Sequence, residues 1–256
     1  YTSQYTLSLH DALPISCSAL ERWLKDVSQG VDAPEGSHRN LFPPFPGFRS
    51  GEGFDAEIRV GETLTRGIPS AVIQRRIDGK HGNIKIEAIV DLFLEEIGHL
   101  LETTKVDVVV CAVSNSLLEL QDVVEEEVFG SRESADESSE NRPKTLKPLD
   151  FHDLLKARTL RFRVPLQLVR PRTHRGTDAW SKGDEVQAES LRAWNFLTAL
   201  YYKAGGKPWG LARDLDAFET CYVGISFYRS LDDESLEASV AHVFDERGEG
   251  TVVSGT

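Results

Sequence analysis

The sequence predicts an α/β fold built around a parallel sheet, and three stretches of the chain carry this prediction. Residues 106–113 (VDVVVCAV) form a nearly continuous apolar run, which is typical of a strand buried on both faces. Residues 84–103 and 185–203 are predicted as long helices, the first with its apolar side chains on one face. Strands that alternate with helices along a chain favour a parallel sheet covered by helices.

The other predicted elements continue this alternation. They are helices over residues 18–29 and 151–161, strands over residues 164–169, 221–228, 239–244 and 251–253, short strands or turns over residues 54–60 and 71–75, and an ordered loop over residues 41–54. The pair Gly205-Gly206 is predicted to end the helix over residues 185–203.

The bulk composition is that of a globular protein. The chain has 256 residues, and because it lacks an apolar run of about 18 residues we expect no membrane span. Its three cysteines are far apart and show no CxxC spacing, which argues against a zinc site and favours a reducing, cytoplasmic location. Neither GxxxxGKS/T nor GxGxxG occurs, so a generic nucleotide-binding domain has no motif to support it.

The distribution of charge matters more than the net charge of −12. Residues 119–140 hold nine acidic residues and one basic residue, and we predict residues 119–147 to be an acidic, mobile surface insertion. Residues 150–176, by contrast, hold seven basic residues and two acidic ones. A locally basic surface beside an acidic insertion is compatible with nucleic-acid binding.

Both ends of the chain have unusual sequences. Residues 1–16 (YTSQYTLSLHDALPIS) look like a translated sequencing adaptor, so we expect them to take no part in the fold. The alternatives are an apolar helix or a signal peptide, although the basic segment that begins a signal peptide is missing. Because the sequence also lacks Met and stops at a strand-like run, GTVVSGT, we expect a fragment truncated at both ends.

Four polar residues could form a phosphate site. His152 and Lys156 lie four residues apart on a predicted helix and therefore share a face, Gln167 is on the next strand, and Lys203 ends the next long helix. A phosphate attracts converging ammonium, imidazole and amide donors, and such groups converge at the ends of parallel strands. Spacing alone leaves four unrelated surface groups as the alternative.

Several motifs resemble, in type and order, those of the Argonaute family. They are FHDLLKAR, VPLQLVR, YYKAGGKPW and CYVGISFYR, together with PPFPGF and VDVVVCAV. The resemblance covers residues 17–256 and is tightest to the short prokaryotic Argonautes. It implies a Rossmann-like MID domain over residues 17–212, followed by the first strands of an RNase-H-like PIWI domain over residues 213–256.

The resemblance also implies a role for the four polar residues. In the Argonaute family a Tyr or His, a Lys, a Gln and a second Lys bind the 5′-phosphate of the guide, and the matching positions here are His152, Lys156, Gln167 and Lys203. A Mg²⁺ ion commonly assists there, held partly by a C-terminal carboxylate that would lie outside this chain. No residue of this chain is assigned as a metal ligand.

Other side chains near these motifs have two possible roles. Arg170 and Arg172 are candidates for contacts with later guide phosphates, or else they are solvated charges on a loop. Tyr201, Tyr202 and Trp209 could stack on the first guide base, but such aromatics more often lie in the core, and the helical spacing of Trp194, Leu197 and Tyr201 favours the core.

The resemblance predicts that this protein does not cleave nucleic acid. In cleaving Argonautes the first catalytic Asp follows a Gly by two positions on the first PIWI strand, and here Ser226 stands two positions after Gly224. A neutral hydroxyl cannot replace a carboxylate that bridges two cations. Glu249 is the next acid, but we predict it to be a solvated turn residue. Two alternatives remain: an active nuclease whose catalytic residues lie beyond Thr256, and an inactive long prokaryotic Argonaute.

The partners implied by the resemblance are a guide nucleic acid, expected to be RNA, and a complementary target, expected to be DNA. Inactive short Argonautes act with a second protein that carries an APAZ domain and an effector of the TIR or Sir2 type. Recognition of invading nucleic acid by the guide then activates the effector, so the implied role is prokaryotic defence.

Overall fold

The computed structural model describes residues 3–11, 14–36, 41–48, 54, 56–133, 147–176, 186–209, 220–229, 236–245 and 249–253. The chain divides into two compact units, Tyr1–Ala204 and Gly205–Thr256. The division falls at the predicted glycine helix stop, whereas the sequence predicts a domain boundary after residue 212. None of the described helices combines the length and the apolar character that a membrane span requires.

The first unit is an α/β fold, which confirms the predicted class. Its strands are β1 (Ser3–Asp11), β2 (Ala56–Arg59), β3 (Thr65–Gly67), β4 (Val108–Ala112) and β5 (Leu166–Val169). Its helices are α1 (Pro14–Val27), α2 (Ser70–Ile77), α3 (Asn83–Thr103), α4 (Asn115–Glu133), α5 (Phe151–Thr159), α6 (Pro171–Arg175) and α7 (Glu189–Lys203).

The five strands of the first unit form one parallel sheet. β1 pairs with β4 on one side, and on the other side it pairs with β2 along its first half and with β3 along its second half. β5 pairs with β4 and ends the order β2-β1-β4-β5. The carboxyl ends of all these strands therefore lie at one end of the sheet. On one side, β5 is the outermost of the described strands.

The position of β1 corrects the expectation that residues 1–16 lie outside the fold. Ser3–Asp11 is the strand between β2 and β4, and α1 already begins at Pro14. The physical reason is the burial of β4, whose backbone N–H and C=O groups need hydrogen-bond partners along both edges. β5 supplies one set of partners and β1 supplies the other.

β4 separates two hydrophobic cores, because successive side chains of a strand point to opposite faces. Val109 and Cys111 belong to a core with α3, whereas Val108, Val110 and Ala112 belong to a core with α1 and α7. All the residues of β4 are buried, which confirms the prediction of a strand covered on both faces.

The predicted loop over residues 41–54 is ordered in its described part. Phe45 is buried, and its ring lies 5.8 Å from that of Phe54 and 5.2 Å from that of Trp194 on α7. Gly47 closes the loop with φ 79°, and a Cβ atom there would stand 2.5 Å from the carbonyl oxygen of Ser28. This aromatic cluster packs the loop against the helix that ends at the predicted phosphate site.

Helix α4 corrects the prediction of a mobile insertion over residues 119–147. The helix continues to Glu133, with Val124 and Val128 buried in the core beside α3. Leu117, Val124 and Val128 recur at helical spacing, and this stripe is buried even though the composition around it is acidic. Residues 134–146, the rest of the predicted insertion, lie outside the described residues.

Residues 71–75, predicted as a short strand or turn, belong instead to helix α2, whose Ile77 is buried in the core with α3. A short apolar run does not distinguish a strand from a helix by periodicity alone, which explains the error. The other predicted helices and strands of the first unit are present, with ends that differ by a few residues.

The second unit contains an antiparallel sheet of β6 (Tyr222–Arg229), β7 (Leu236–Phe244) and β8 (Gly250–Val253) in that order. Ser226 pairs with Val240, and the register shifts directly after it. The backbone N–H of Glu249 donates to the Asp245 carboxylate at 2.8 Å in the connection from β7 to β8. Glu249 is therefore a turn residue, as the sequence predicts.

Gly47 should tolerate alanine less well than other glycines of positive φ. Gly47→Ala introduces both an unfavourable φ and a clash with the Ser28 carbonyl, whereas Gly36, at φ 69°, has open space around it. We expect Gly36→Ala to lower the free energy of unfolding by about 1–2 kcal/mol, and Gly47→Ala to lower it by at least about 1 kcal/mol more. Urea denaturation of both variants measures this, and equal losses would contradict the steric argument.

Candidate phosphate-binding site

Lys203, the last residue of α7, lies against the outer edge of the sheet. Its ammonium donates to the side-chain oxygen of Gln167 at 2.7 Å and to the carbonyl of Leu166 at 2.6 Å. The neighbouring Pro165 carbonyl accepts from Val109 of β4 at 2.9 Å, so the Leu166 carbonyl points the other way. It faces the edge of β5 with which no described strand pairs, called the open edge from here on. Lys203 and Gln167 are thus joined on the side of β5 that faces away from β4.

The remaining donors of these two side chains are available to a ligand. An ammonium has three N–H groups and Lys203 uses two, while the Gln167 amide has two and donates one to the Leu168 carbonyl at 2.8 Å. Counted over contacts between described residues, one N–H of each side chain is left for an acceptor that approaches the open edge.

Lys156 brings a second positive charge to this place. The pKa of Lys203 is lowered to about 8, mainly because the ammonium is partly buried and secondly because the Lys156 ammonium repels its charge. Within the described residues, neither lysine forms an ion pair with a carboxylate. The arrangement is a half-buried pair of like charges, which an anion would stabilise.

His152 lies one turn before Lys156 on α5. Its Nδ1 atom is 2.9 Å from a carboxylate oxygen of Asp153, and its side chain is partly exposed. The structure therefore joins Gln167 to Lys203 by a hydrogen bond and places Lys156 near enough to Lys203 for its charge to act there. His152 lies on the same helix as Lys156 but is hydrogen-bonded to Asp153. Asp150 caps the start of helix α5, because its carboxylate accepts the N–H of Asp153 at 2.8 Å.

Arg170 and Arg172 follow β5 directly, at its carboxyl end. Arg170 is exposed and precedes α6, and Arg172 is partly buried in the first turn of that helix. The guanidinium of Arg192 on α7 donates to the Thr173 carbonyl at 2.6 Å, which fixes α6 to α7. A strand rises about 3.3 Å per residue, so Arg170 lies roughly 10 Å along the chain from Gln167.

The three candidate stacking residues occupy different environments. Tyr201 packs against Phe54 with ring centroids 4.9 Å apart, as its helical spacing predicts. Tyr202, beside Lys203, is 57% exposed. Trp209 is also exposed but belongs to the second unit.

Two features escape sequence reasoning. His174 on α6 is buried, and its pKa is lowered to about 4 by burial first and by the charge of Arg175 second. Asp150, His152 and Asp153 place their ligand atoms within 4.8 Å of one another, a spacing that a cation could use. The D-x-H-D pattern is the only signal in the sequence for this group of possible cation ligands. Asp150 also caps helix α5 through the N–H of Asp153, which explains the closeness of these two residues without a cation.

The donors around Lys203 do not form a Mg²⁺ site by themselves, and the ion implied by the family resemblance stays a prediction. Magnesium prefers several oxygen ligands, usually carboxylates. The oxygen that Gln167 offers already accepts a hydrogen bond from Lys203, and the two ammonium groups repel a cation. The site formed by the described residues suits an anion instead.

Solved structures of Argonautes match the chain. It is similar to Aa-Ago with externally bound siRNA (13% identity, 99% of this chain and 27% of that chain, TM-score 0.49). It is also similar to Clostridium butyricum Argonaute bound to a guide DNA with a 5′ deoxycytidine and a 19-mer target DNA (12% identity, 100% of this chain and 27% of that chain, TM-score 0.50). No family model and no curated protein sequence matches the chain.

These matches concern the fold. The chain spans 27% of the length of each of the two Argonautes. The match to Clostridium butyricum Argonaute shows that the chain has an Argonaute-like fold, and at 12% identity it assigns no role to individual residues.

The affinity of this site for a phosphate group should fall as the pH rises through about 8. The Lys203 ammonium, with its pKa near 8, loses its proton above that pH. For a 5′-phosphorylated oligonucleotide we expect Kd to rise by up to about tenfold per pH unit above that point, because binding must then take up a proton. Fluorescence anisotropy at constant ionic strength measures this.

The same titration supplies its own controls. An oligonucleotide with a 5′-hydroxyl should show a much weaker pH dependence, and a Lys203→Arg variant stays charged throughout the range. A flat profile for the phosphorylated oligonucleotide between about pH 7 and pH 9.5 would show that Lys203 does not bind the phosphate.

Proposed function

We propose that this chain binds the 5′-phosphate of a nucleic-acid guide through Lys156, Gln167 and Lys203, with His152 as a further donor. The observation that supports this most directly is the Lys203 ammonium, which Gln167 and the Leu166 carbonyl hold at the edge of β5 and which the nearby Lys156 charge repels. The ammonium form of Lys203 is costly when the site is empty, since burial and then repulsion from Lys156 both disfavour it. A phosphate dianion removes that repulsion and adds charge-assisted hydrogen bonds.

The donors left at the site match a terminal phosphate. Three oxygens can accept from Lys156, from the remaining N–H of Lys203 and from the second amide N–H of Gln167. His152 could donate as well after rotating away from Asp153, with which it now shares a hydrogen bond. A neutral 5′-hydroxyl would satisfy far fewer of these donors.

A polymer explains the surroundings of the site better than a small phosphate ester. Arg170 and Arg172 extend the positive charge beyond the carboxyl end of β5, where later guide phosphates would pass. Contacts of this kind position a nucleic acid without reading its sequence. The similarity in fold to an Argonaute bound to guide DNA supports the same conclusion.

A comparison of 5′-phosphorylated and 5′-hydroxyl guides tests the proposal. Lys156→Ala and Lys203→Ala should each weaken binding of the phosphorylated guide by about 1.5–3 kcal/mol, the cost of one charged hydrogen bond, and nearly abolish the preference for it. Affinity for the hydroxyl guide should change little. Lys105→Ala, at an exposed lysine outside the described helices and strands, is the matched charge control.

RNA and DNA versions of both guides should be included, because we propose an RNA guide whereas the solved relative holds DNA. If both lysine variants still discriminate fully between the two guide ends, the assignment of the site is wrong.

We further propose that the protein is a catalytically inactive Argonaute of the short prokaryotic kind. Ser226 stands where a cleaving Argonaute would have its first catalytic Asp, and a hydroxyl cannot bridge two metal ions. The protein would then act in cytoplasmic defence: it would recognise invading nucleic acid, expected to be DNA, through its guide and activate a partner. That partner would carry an APAZ domain and a TIR or Sir2 effector.

The complete protein that contains this chain should fail to cleave a guide-matched target in the presence of Mg²⁺ or Mn²⁺. Target binding should persist under the same conditions, because the guide site does not involve Ser226. Gel analysis of labelled target strands measures both properties, and a mismatched target is the control. Guide-dependent cleavage that EDTA stops would refute the inactive assignment.

A further inference from the structure

Two side-chain amides hold the segment that leads into helix α5. Asn83, the first residue of α3, accepts the N–H of Leu149 at 2.8 Å and donates to the carbonyl of Lys147 at 2.9 Å. Gln121, in the middle of α4, donates to the carbonyl of Leu149 at 2.9 Å and accepts the N–H of Phe151 at 3.1 Å. Each amide thus makes one donor contact and one acceptor contact with the backbone. Asn83 binds the N–H of Leu149, and Gln121 binds its carbonyl.

These contacts satisfy backbone groups that no described strand or helix pairs. A buried or half-buried N–H or C=O group without a partner is costly, so the segment depends on the two amides for its position. Together, Asn83 and Gln121 will be called the amide clamp.

The amide clamp is itself held in place. Glu127 on α4 accepts from the backbone N–H of Gly82 at 2.8 Å and pairs with the ammonium of Lys85 at 2.5 Å. The start of α3 is therefore tied to α4 on the residues that flank Asn83. Gln121 also donates to Glu125, one turn further along α4, at 3.1 Å.

The clamped segment ends where the phosphate-binding helix begins. Phe151 is buried, and its ring meets that of Phe93 on α3 edge to face at 5.3 Å. His152 is the next residue, and Lys156 follows one turn later on this short helix. Lys203 and Gln167, by contrast, are held by α7 and β5, so a shift at the start of α5 would move Lys156 relative to both.

We propose that Asn83 and Gln121 are positioning residues for the phosphate site. They fix the start of α5 and thereby set the separation between the Lys156 ammonium and the donors of Lys203 and Gln167. This inference rests on the proposed function, because it concerns the same phosphate.

The test measures the preference for a phosphorylated guide end in clamp variants of the full chain. Gln121→Met keeps the length of the side chain without its hydrogen bonds, and Asn83→Ala removes the other half of the clamp. For each variant we expect the affinity for the 5′-phosphorylated guide to fall about tenfold, while the affinity for the 5′-hydroxyl guide stays within about twofold.

A stability control separates positioning from general loosening of the fold. Ile89→Val removes one methylene from a fully buried residue of α3 without touching the amide clamp. It should lower Tm but leave the ratio of the two guide affinities at the wild-type value.

A second readout is the pH profile of phosphate binding. If the clamp variants let Lys156 move away, the repulsion that lowers the pKa of Lys203 weakens, and the midpoint near pH 8 should move upward. Loss of stability alone would leave this midpoint unchanged.

The outcomes distinguish this inference from the proposed function. If Lys156→Ala loses the preference for phosphate while Gln121→Met and Asn83→Ala keep it, the positioning role is wrong and the phosphate site stands. If Ile89→Val reduces the preference as much as the clamp variants do, the effect is one of stability and the inference is also wrong. If the wild-type chain shows no preference for a phosphorylated end, both proposals fail.

Discussion

The burial of strand β4 on both faces is the constraint from which the rest of the first unit follows. Its side chains need an apolar layer on each side, and its backbone needs a strand along each edge. Helix α3 covers one face, while α1 and α7 cover the other. Since β1 and β5 complete the edges, the place of Gln167 on β5 and of Lys203 at the end of α7 is decided by the packing of this one strand.

The candidate site differs electrostatically from other charged positions of the unit. Several charged side chains there are paired with an opposite charge, as Lys85 is with Glu127 and Arg158 with Asp91. At the open edge of β5, burial and the neighbouring Lys156 charge instead disfavour the ammonium form of Lys203. Local destabilisation of this kind is characteristic of binding sites, where the interaction that compensates for it comes from the ligand.

The sequence predicts those parts of the structure whose signal is local. The apolar run over residues 106–113 and the periodic helix over residues 84–103 identify the core of the sheet, because burial on both faces and burial on one face leave different patterns. Helix α4 is missed because a strongly acidic composition hides a narrow stripe containing Val124 and Val128. Strand β1 is missed because its letters resemble an adaptor, and only pairing with strands far away in sequence gives it a place.

Contacts between distant residues explain why the site is only partly predictable. Lys203 and Gln167 are 36 residues apart, and Asn83 and Leu149 are 66 apart. Lys203 and Gln167 can be suggested from the sequence, because both are residue types that donate hydrogen bonds to phosphate and both match positions of the family motifs. Nothing local marks Asn83 or Gln121, because a side-chain amide that holds a backbone segment looks in the sequence like any other polar surface residue.

The open edge of β5 has a consequence for the empty protein. A strand edge with unpaired carbonyl groups is a template on which another chain can add a strand, and natural proteins often block such edges with lysine. Along this edge, Lys203 donates a hydrogen bond to the Leu166 carbonyl, and Gln167 donates one to the Leu168 carbonyl. The side chains proposed to bind phosphate therefore also guard the sheet against intermolecular strand pairing, and a variant that lacks Lys203 would lose solubility as well as affinity.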